Sequence, residues 1–150
     1  MKLTDLLNEQ RIVLDVEVKT KDEIIGKLVD LMANGYDRQS LLDAIMEREK
    51  LGSTGIGHGV AVPHVKLDTV DAAEIAFGRT ARPIDFAAID DEPCSLFFLI
   101  LGPTRQEAQE KYLHTMAKIS RLMRHADIRE ALASACTPAE ALAVIAENES

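Results

Sequence analysis

The 150-residue chain holds no apolar run approaching the roughly 18 residues that a membrane-spanning helix needs. Its opening, Met1-Lys-Leu-Thr-Asp-Leu-Leu-Asn-Glu9, is too polar for the apolar stretch of a secretory signal. Cysteine is scarce. Cys94 and Cys136 lack metal-ligand spacing and lie in apolar or helical contexts, so both are expected to be reduced packing residues of a cytoplasmic protein. Basic charge is also short: 17 Lys and Arg against 25 Asp and Glu leave a net charge of −8. That balance disfavours nucleic acid and anionic membrane as partners, and suits a partner with a basic docking face. Repeats, linkers and low-complexity tracts are missing too. With 47% hydrophobic and 28% charged residues, the chain suits one soluble domain with a substantial core.

What is present is concentrated in one stretch, Arg48-Glu-Lys-Leu-Gly-Ser-Thr-Gly-Ile-Gly-His-Gly-Val-Ala-Val-Pro-His-Val-Lys66. Gly52, Gly55, Gly57 and Gly59 permit positive φ and close approach of the backbone to a ligand. Successive N–H groups in such turns can form a concave anion site. Pro63 fixes φ at the entry to His64. An anion-binding loop followed by a tethered histidine suggests phosphoryl chemistry, although glycine-rich stretches also serve as plain turns. The stretch is neither a G-x-x-x-x-G-K-[ST] loop nor a G-x-G-x-x-G turn opening a helix. Ser53 and Thr54 could donate to a phosphate or could close a turn through their own backbone. Lys66 could add positive potential or simply be solvated.

The rest of the chain alternates strand and helix patterns. Residues 12–18 read as a half-buried strand. Thr20-Lys-Asp-Glu23 has the form of a capping box, opening a helix with Ile24, Leu28, Leu31 and Met32 on one stripe and closing near Gly35. A second helix starts at about Asp37 and buries Leu41, Leu42 and Ile45. Arg48 lies at the margin of that stripe, either as a snorkelling side chain or as a fork for phosphate oxygens. A turn at 68–71 leads to a strand at 73–80, an irregular link at 82–86 and an acidic turn at 90–93. The apolar run 95–101 has the look of a central strand covered on both faces. Three helices follow: 106–123, a second capped by Asp127, and a third opened by Thr137-Pro-Ala-Glu140. Together these imply an α/β fold, a single-domain sandwich whose mixed β-sheet is flanked by helices on both faces.

Periodicity puts Tyr112, Leu113, Met116, Ile119 and Met123 on one face of the 106–123 helix and turns His114 to solvent. His125, at a helix boundary, reads as a surface or capping residue. His58 and His64, with His114 or Asp68, could in principle bind zinc, but their spacing is not that of a standard site.

The run REKLGSTGIGHGVAVPHVK resembles the active-site segment of the enzyme IIA proteins of the bacterial phosphotransferase system, fructose/mannitol class. The resemblance continues through Pro83-Ile-Asp-Phe-Ala-Ala-Ile-Asp-Asp-Glu-Pro93 and Tyr112-Leu-His-Thr-Met116. It implies an α/β sandwich, a phosphotransferase working through phosphohistidine, and no metal or organic cofactor. In this family the histidine of G-[IV]-A-[IV]-P-H accepts the phosphoryl group, which falls here on His64. A second histidine in an L-H-x-[LM] segment stabilises that group, which falls on His114, and the family's arginine falls on Arg48. The loop residues Ser53, Thr54, Gly55, Gly57 and Gly59 would contact phosphate. The donor would be an HPr-like phosphocarrier. Relatives often carry asparagine at the position of His58 and glycine at that of Val65, so His58 is not expected to be essential. REK-GSTGIG and the lack of a fused domain resemble the nitrogen-regulatory branch most. There the phosphorylation state controls regulatory targets in nitrogen and potassium metabolism, such as potassium transport or a sensor kinase. The alternatives are a sugar-specific enzyme IIA passing phosphate to a IIB domain for fructose or mannitol uptake, and a metal-dependent hydrolase using His58, His64 and His114.

Overall fold

Alternation along one apolar strand organises the whole architecture. The computed structural model describes residues 2–32 and 35–149. Among these, the strands are β1 (Ile12–Val16), β2 (Gly55–Gly57), β3 (Val60–Ala61), β4 (His64–Leu67), β5 (Glu74–Ile84) and β6 (Cys94–Pro103). Helices α1 (Lys21–Met32) and α2 (Arg38–Lys50) lie between β1 and β2, while α3 (Gln109–Leu122), α4 (Ala126–Ser134) and α5 (Pro138–Asn148) follow β6. The sheet order is β1-β5-β6-β3-β2, with β4 also paired to β6. β5 and β6 are antiparallel, whereas β1–β5, β3–β6 and β4–β6 are parallel, so the sheet is mixed.

Leu96, Phe98 and Ile100 of β6 enter a core shared with α3, α4 and α5. Phe97, Leu99 and Leu101 enter a second core beneath α1 and α2. A strand buried on both sides has no polar face to present, which is why it reads as an unbroken apolar run. Phe77 packs on Phe98 at 4.8 Å between ring centroids, and Phe86 on Phe97 at 5.4 Å. Burying each such ring contributes about 1.5–3 kcal/mol. The expected sandwich is what forms.

Local signals set most helix starts. Thr20 Oγ1 accepts from the Glu23 N–H at 3.2 Å, Asp37 from Ser40 at 3.0 Å and Thr137 from Glu140 at 3.1 Å. Several expectations need correction. The strand expected at 12–18 stops at Val16, because Asp15 takes φ 54° and the register to β5 shifts there. Residues 82–86 are not all an irregular link, since β5 runs on to Ile84, opposite Cys94. Pro83 is tolerated because the β5–β6 register shifts across it and β1 has already ended, so it breaks no ladder bond. Asp127 sits inside the first turn of α4, and His125 occupies the N-cap, its side chain making no cap bond among the described residues. Leu113 is exposed, and Thr115 takes the buried position beside Tyr112 and Ile119. Cys94 is buried, and burial pushes its thiol up to about 11; Cys136 is exposed rather than packed.

Candidate functional site

The glycine-rich stretch is not one loop. Gly55 pairs with Ala61 and Gly57 with Val60, so β2 and β3 form a hairpin whose two-residue turn is His58-Gly59. A type I′ turn needs positive φ at both central residues, and His58 and Gly59 have φ of 59° and 78°. Histidine, like asparagine, tolerates that region better than most side chains. The His58 N–H donates to Asp90 Oδ2 at 3.0 Å, tying the turn to the acidic segment. At Gly55 the need is close approach: a Cβ there would stand 2.6 Å from Ala88 Cβ and 2.8 Å from Ala88 Cα.

The hydroxyls of Ser53 and Thr54, expected to face a phosphate, turn inward instead. Ser53 Oγ donates to the Phe86 carbonyl and accepts from the Gly55 N–H at 3.0 Å. Thr54 Oγ1 donates to Glu49, whose carboxylate also accepts from the Thr54 N–H at 3.3 Å. Both hydroxyls are therefore committed to fixing the stretch. Glu49 is 5% exposed, and Lys21 Nζ pairs with it at 2.7 Å. Sequence reasoning passed over Glu49, although it lies four and eight residues beyond Ile45 and Leu41, on the buried stripe itself.

His64 opens β4, opposite Ile100 of β6, and the Pro63 carbonyl accepts from the Ile100 N–H at 3.0 Å. The ring is half-buried, and Nδ1 lies 2.8 Å from the Val62 carbonyl. A carbonyl only accepts, so Nδ1 carries the proton and Nε2 of the neutral ring keeps its lone pair. Burial, first, holds the His64 imidazole below its ordinary range. The Val62 carbonyl opposes this, the charges of Arg48 and Lys66 add to it, and Glu49 again opposes it. Arg48, in the last turn of α2, donates from Nη1 to the Gly52 carbonyl at 3.0 Å, which leaves most of its fork unspent.

α3 approaches from the other side of the sheet. Lys66 Nζ donates to Gln109 Oε1 at 3.1 Å and lies 5.9 Å from the centre of the Tyr112 ring. That ring covers Gly102, the β6 partner of Lys66. The Tyr112 hydroxyl is buried without a hydrogen-bond partner among the described residues, and burial raises it to about 12 even though the Arg48 charge acts to lower it. His114, two residues further on, is exposed, as periodicity implied. Arg48, His64 and Lys66 thus share one electrostatic neighbourhood, with α3 laid against Lys66. Among the described residues, no three His, Cys, Asp or Glu side chains gather to hold a metal. His58, His64 and His114 do not gather into such a group. Among the same residues, no helix is long and apolar enough to cross a membrane.

Known proteins resemble this chain along almost its whole length. The family described as phosphoenolpyruvate-dependent sugar phosphotransferase system, EIIA 2, matches residues 5–148. The chain belongs to this family. As an EIIA 2 protein it is a phosphoryl-relay protein, and the family implies transfer through phosphohistidine. It is 40% identical over 131 residues to the fructose-specific EIIA component of Haloferax volcanii, covering 85% of this chain and 84% of that one. It is 36% identical over 134 residues to a nitrogen regulatory protein of Bradyrhizobium diazoefficiens, covering 88% and 86%. The crystal structure of nitrogen regulatory protein IIA-Ntr from Neisseria meningitidis superposes with a TM-score of 0.89 at 34% identity, covering 94% and 97%. This EIIA 2 chain therefore has relatives named for nitrogen regulation and for fructose-specific transfer.

Proposed function

We propose that His64 Nε2 accepts a phosphoryl group from the phosphohistidine of an HPr-like carrier, and that the resulting state of the chain controls regulatory targets. The observation that carries the reading is the Nδ1–Val62 bond, which leaves Nε2 unprotonated on a desolvated, neutral imidazole. In the transfer, the Nε2 lone pair forms the new N–P bond as the P–N bond to the carrier breaks. The carrier's ring nitrogen keeps that electron pair. Exchange of like for like needs little driving force, so the protein's work is alignment and charge stabilisation. Arg48 and Lys66 supply positive potential, and Arg48 has N–H groups to spare for equatorial oxygens. His114, exposed on α3, is assigned the role of phosphoryl-stabilising residue on the family resemblance. Gly55, Gly57 and Gly59 shape the β2–β3 hairpin, and Ser53 and Thr54 hold it through internal bonds, so the stretch serves phosphate by fixing His64. No metal or organic cofactor takes part.

A protein donor is supported by large hydrophobics left at the surface: among the described residues Leu51 (84%), Ile56 (38%), Ile89 (84%) and Leu113 (62%) are exposed, Leu51 three residues beyond Arg48. The test is phosphorylation by phosphoenolpyruvate, enzyme I and the carrier. The parent chain takes an acid-labile phosphate that His64→Ala does not; equal labelling of both would refute the proposal. The regulatory role is supported by the relatives named for nitrogen regulation; potassium control and a cytoplasmic setting belong to the same proposal. The 40% identity to a fructose-specific EIIA favours a second reading, onward transfer to a IIB domain and thence to sugar. Passage of label from the phosphorylated chain to a fructose or mannitol IIB domain would establish that second reading.

A further inference from the structure

A buried carboxylate stands three hydrogen-bond links from the His64 ring. Glu49 accepts from Lys21 Nζ at 2.7 Å, from the Thr54 N–H at 3.3 Å and from Thr54 Oγ1. The Thr54 carbonyl in turn accepts from the Val62 N–H at 2.9 Å. The Val62 carbonyl then takes the His64 Nδ1 proton at 2.8 Å. Thr54 is thus clamped at its side chain and its N–H by one carboxylate, and passes that constraint to the peptide that orients the imidazole. Burying an ion is expensive, and a well-packed apolar residue would often stabilise the fold as well. Here the charge does something an apolar residue could not: it takes three donors at once and sets the backbone beside the reactive ring. We propose that Glu49 is a positioning residue for phosphoryl acceptance, acting through Thr54 and Val62 to hold the carbonyl that orients His64. This deepens the proposed function and rests on His64 being the acceptor.

The experiment uses the whole chain and four proteins: the parent, Glu49→Gln, Thr54→Val and Thr54→Ser. Two quantities are read, the rate of phosphorylation by the phosphorylated carrier and the His64 ring-nitrogen shifts across pH. Misplacing a reacting group by about 1 Å can cost about 100-fold, so Glu49→Gln and Thr54→Val are expected to slow acceptance by about 10- to 100-fold. Thr54→Ser keeps the hydroxyl and restores the rate. The Nε2–H tautomer, scarce in the parent, grows in the two slow variants. The charges acting on His64 are Arg48 and Glu49 from α2 and Lys66 from its own strand. Removing the one anion therefore lowers the His64 midpoint in Glu49→Gln, a change that loosened packing alone would not direct. Parent-like rates and tautomer in both slow-designated variants would overturn the proposal, as would a Thr54→Ser variant as slow as Thr54→Val. If Glu49→Gln does not fold, Thr54→Val and Thr54→Ser decide. If the parent takes no label, the acceptor reading fails, and the tautomer comparison still decides whether Glu49 positions the ring.

Discussion

Gly55→Ala tests how tightly the site is held. The added Cβ would meet Ala88 Cβ at 2.6 Å and Ala88 Cα at 2.8 Å, where ordinary contact begins at 3.4 Å. The two segments must therefore part by about 0.8 Å, a strain of the size that overpacking imposes at about 1–3 kcal/mol. Main chain cannot rotate away as a flexible side chain would. Gly55 also accepts from the Ile89 N–H at 3.3 Å, and its neighbour Thr54 holds Val62, so the shift is passed toward the His64 carbonyl acceptor. For a chain of this size the stability loss lowers Tm by about 2–12 °C, and acceptance of phosphate slows by about 10-fold or more. Ala88→Gly in the same chain relieves only the contact with Cβ, so its rescue is partial. Calorimetry and carrier-to-protein transfer rates measure both effects. Parent-like Tm and rate in Gly55→Ala would refute the argument that close approach here sets the site.

Transfer requires the unprotonated Nε2, and His64 is held below the ordinary imidazole value of 6.5, first by burial. Acceptance should therefore persist to more acid pH than a free imidazole would allow, and an acid limb at or above that value would contradict it. The same shift means that the unfolded chain binds this proton more readily. His64 therefore costs stability as pH falls from the unfolded midpoint through the folded one, and pH-dependent denaturation of the parent against His64→Asn reads that difference. Arg48→Ala is expected to slow transfer by about 100-fold and to raise the His64 midpoint, because a repelling charge is lost; an unchanged rate would remove Arg48 from the scheme. Tyr112→Phe removes a buried hydroxyl that has no partner among the described residues, so stability in urea should be unchanged or higher by about 1 kcal/mol, whereas a clear loss would show a hidden partner.

Signals that are local in the chain were the legible ones. β6 announced itself because both its faces are buried, and the caps at Thr20 and Thr137 because each is completed within three residues. The family resemblance pointed to the stretch around His64 and to the sandwich that holds it. Hidden were features made by distant pairing. Gly55, His58 and Gly59 read as one loop, since only their partners across the hairpin and at Ala88 and Asp90 reveal a strand, a type I′ turn and a close approach. Glu49 was overlooked because a charged residue on a buried stripe is read as marginal until Lys21 and Thr54 arrive to satisfy it. Leu113 was misplaced because apolar character was taken as burial, whereas α3 turns that position outward.

The central claim is that the bond from His64 Nδ1 to the Val62 carbonyl determines where phosphate is carried. The most direct measurement is nitrogen and phosphorus NMR of the chain phosphorylated by its carrier, with the ring nitrogens of His64 assigned. One phosphoryl group on Nε2, with Nδ1 still protonated and donating to the carbonyl, is the expected result. Phosphate on Nδ1 of His64, or on any other residue, would contradict the account.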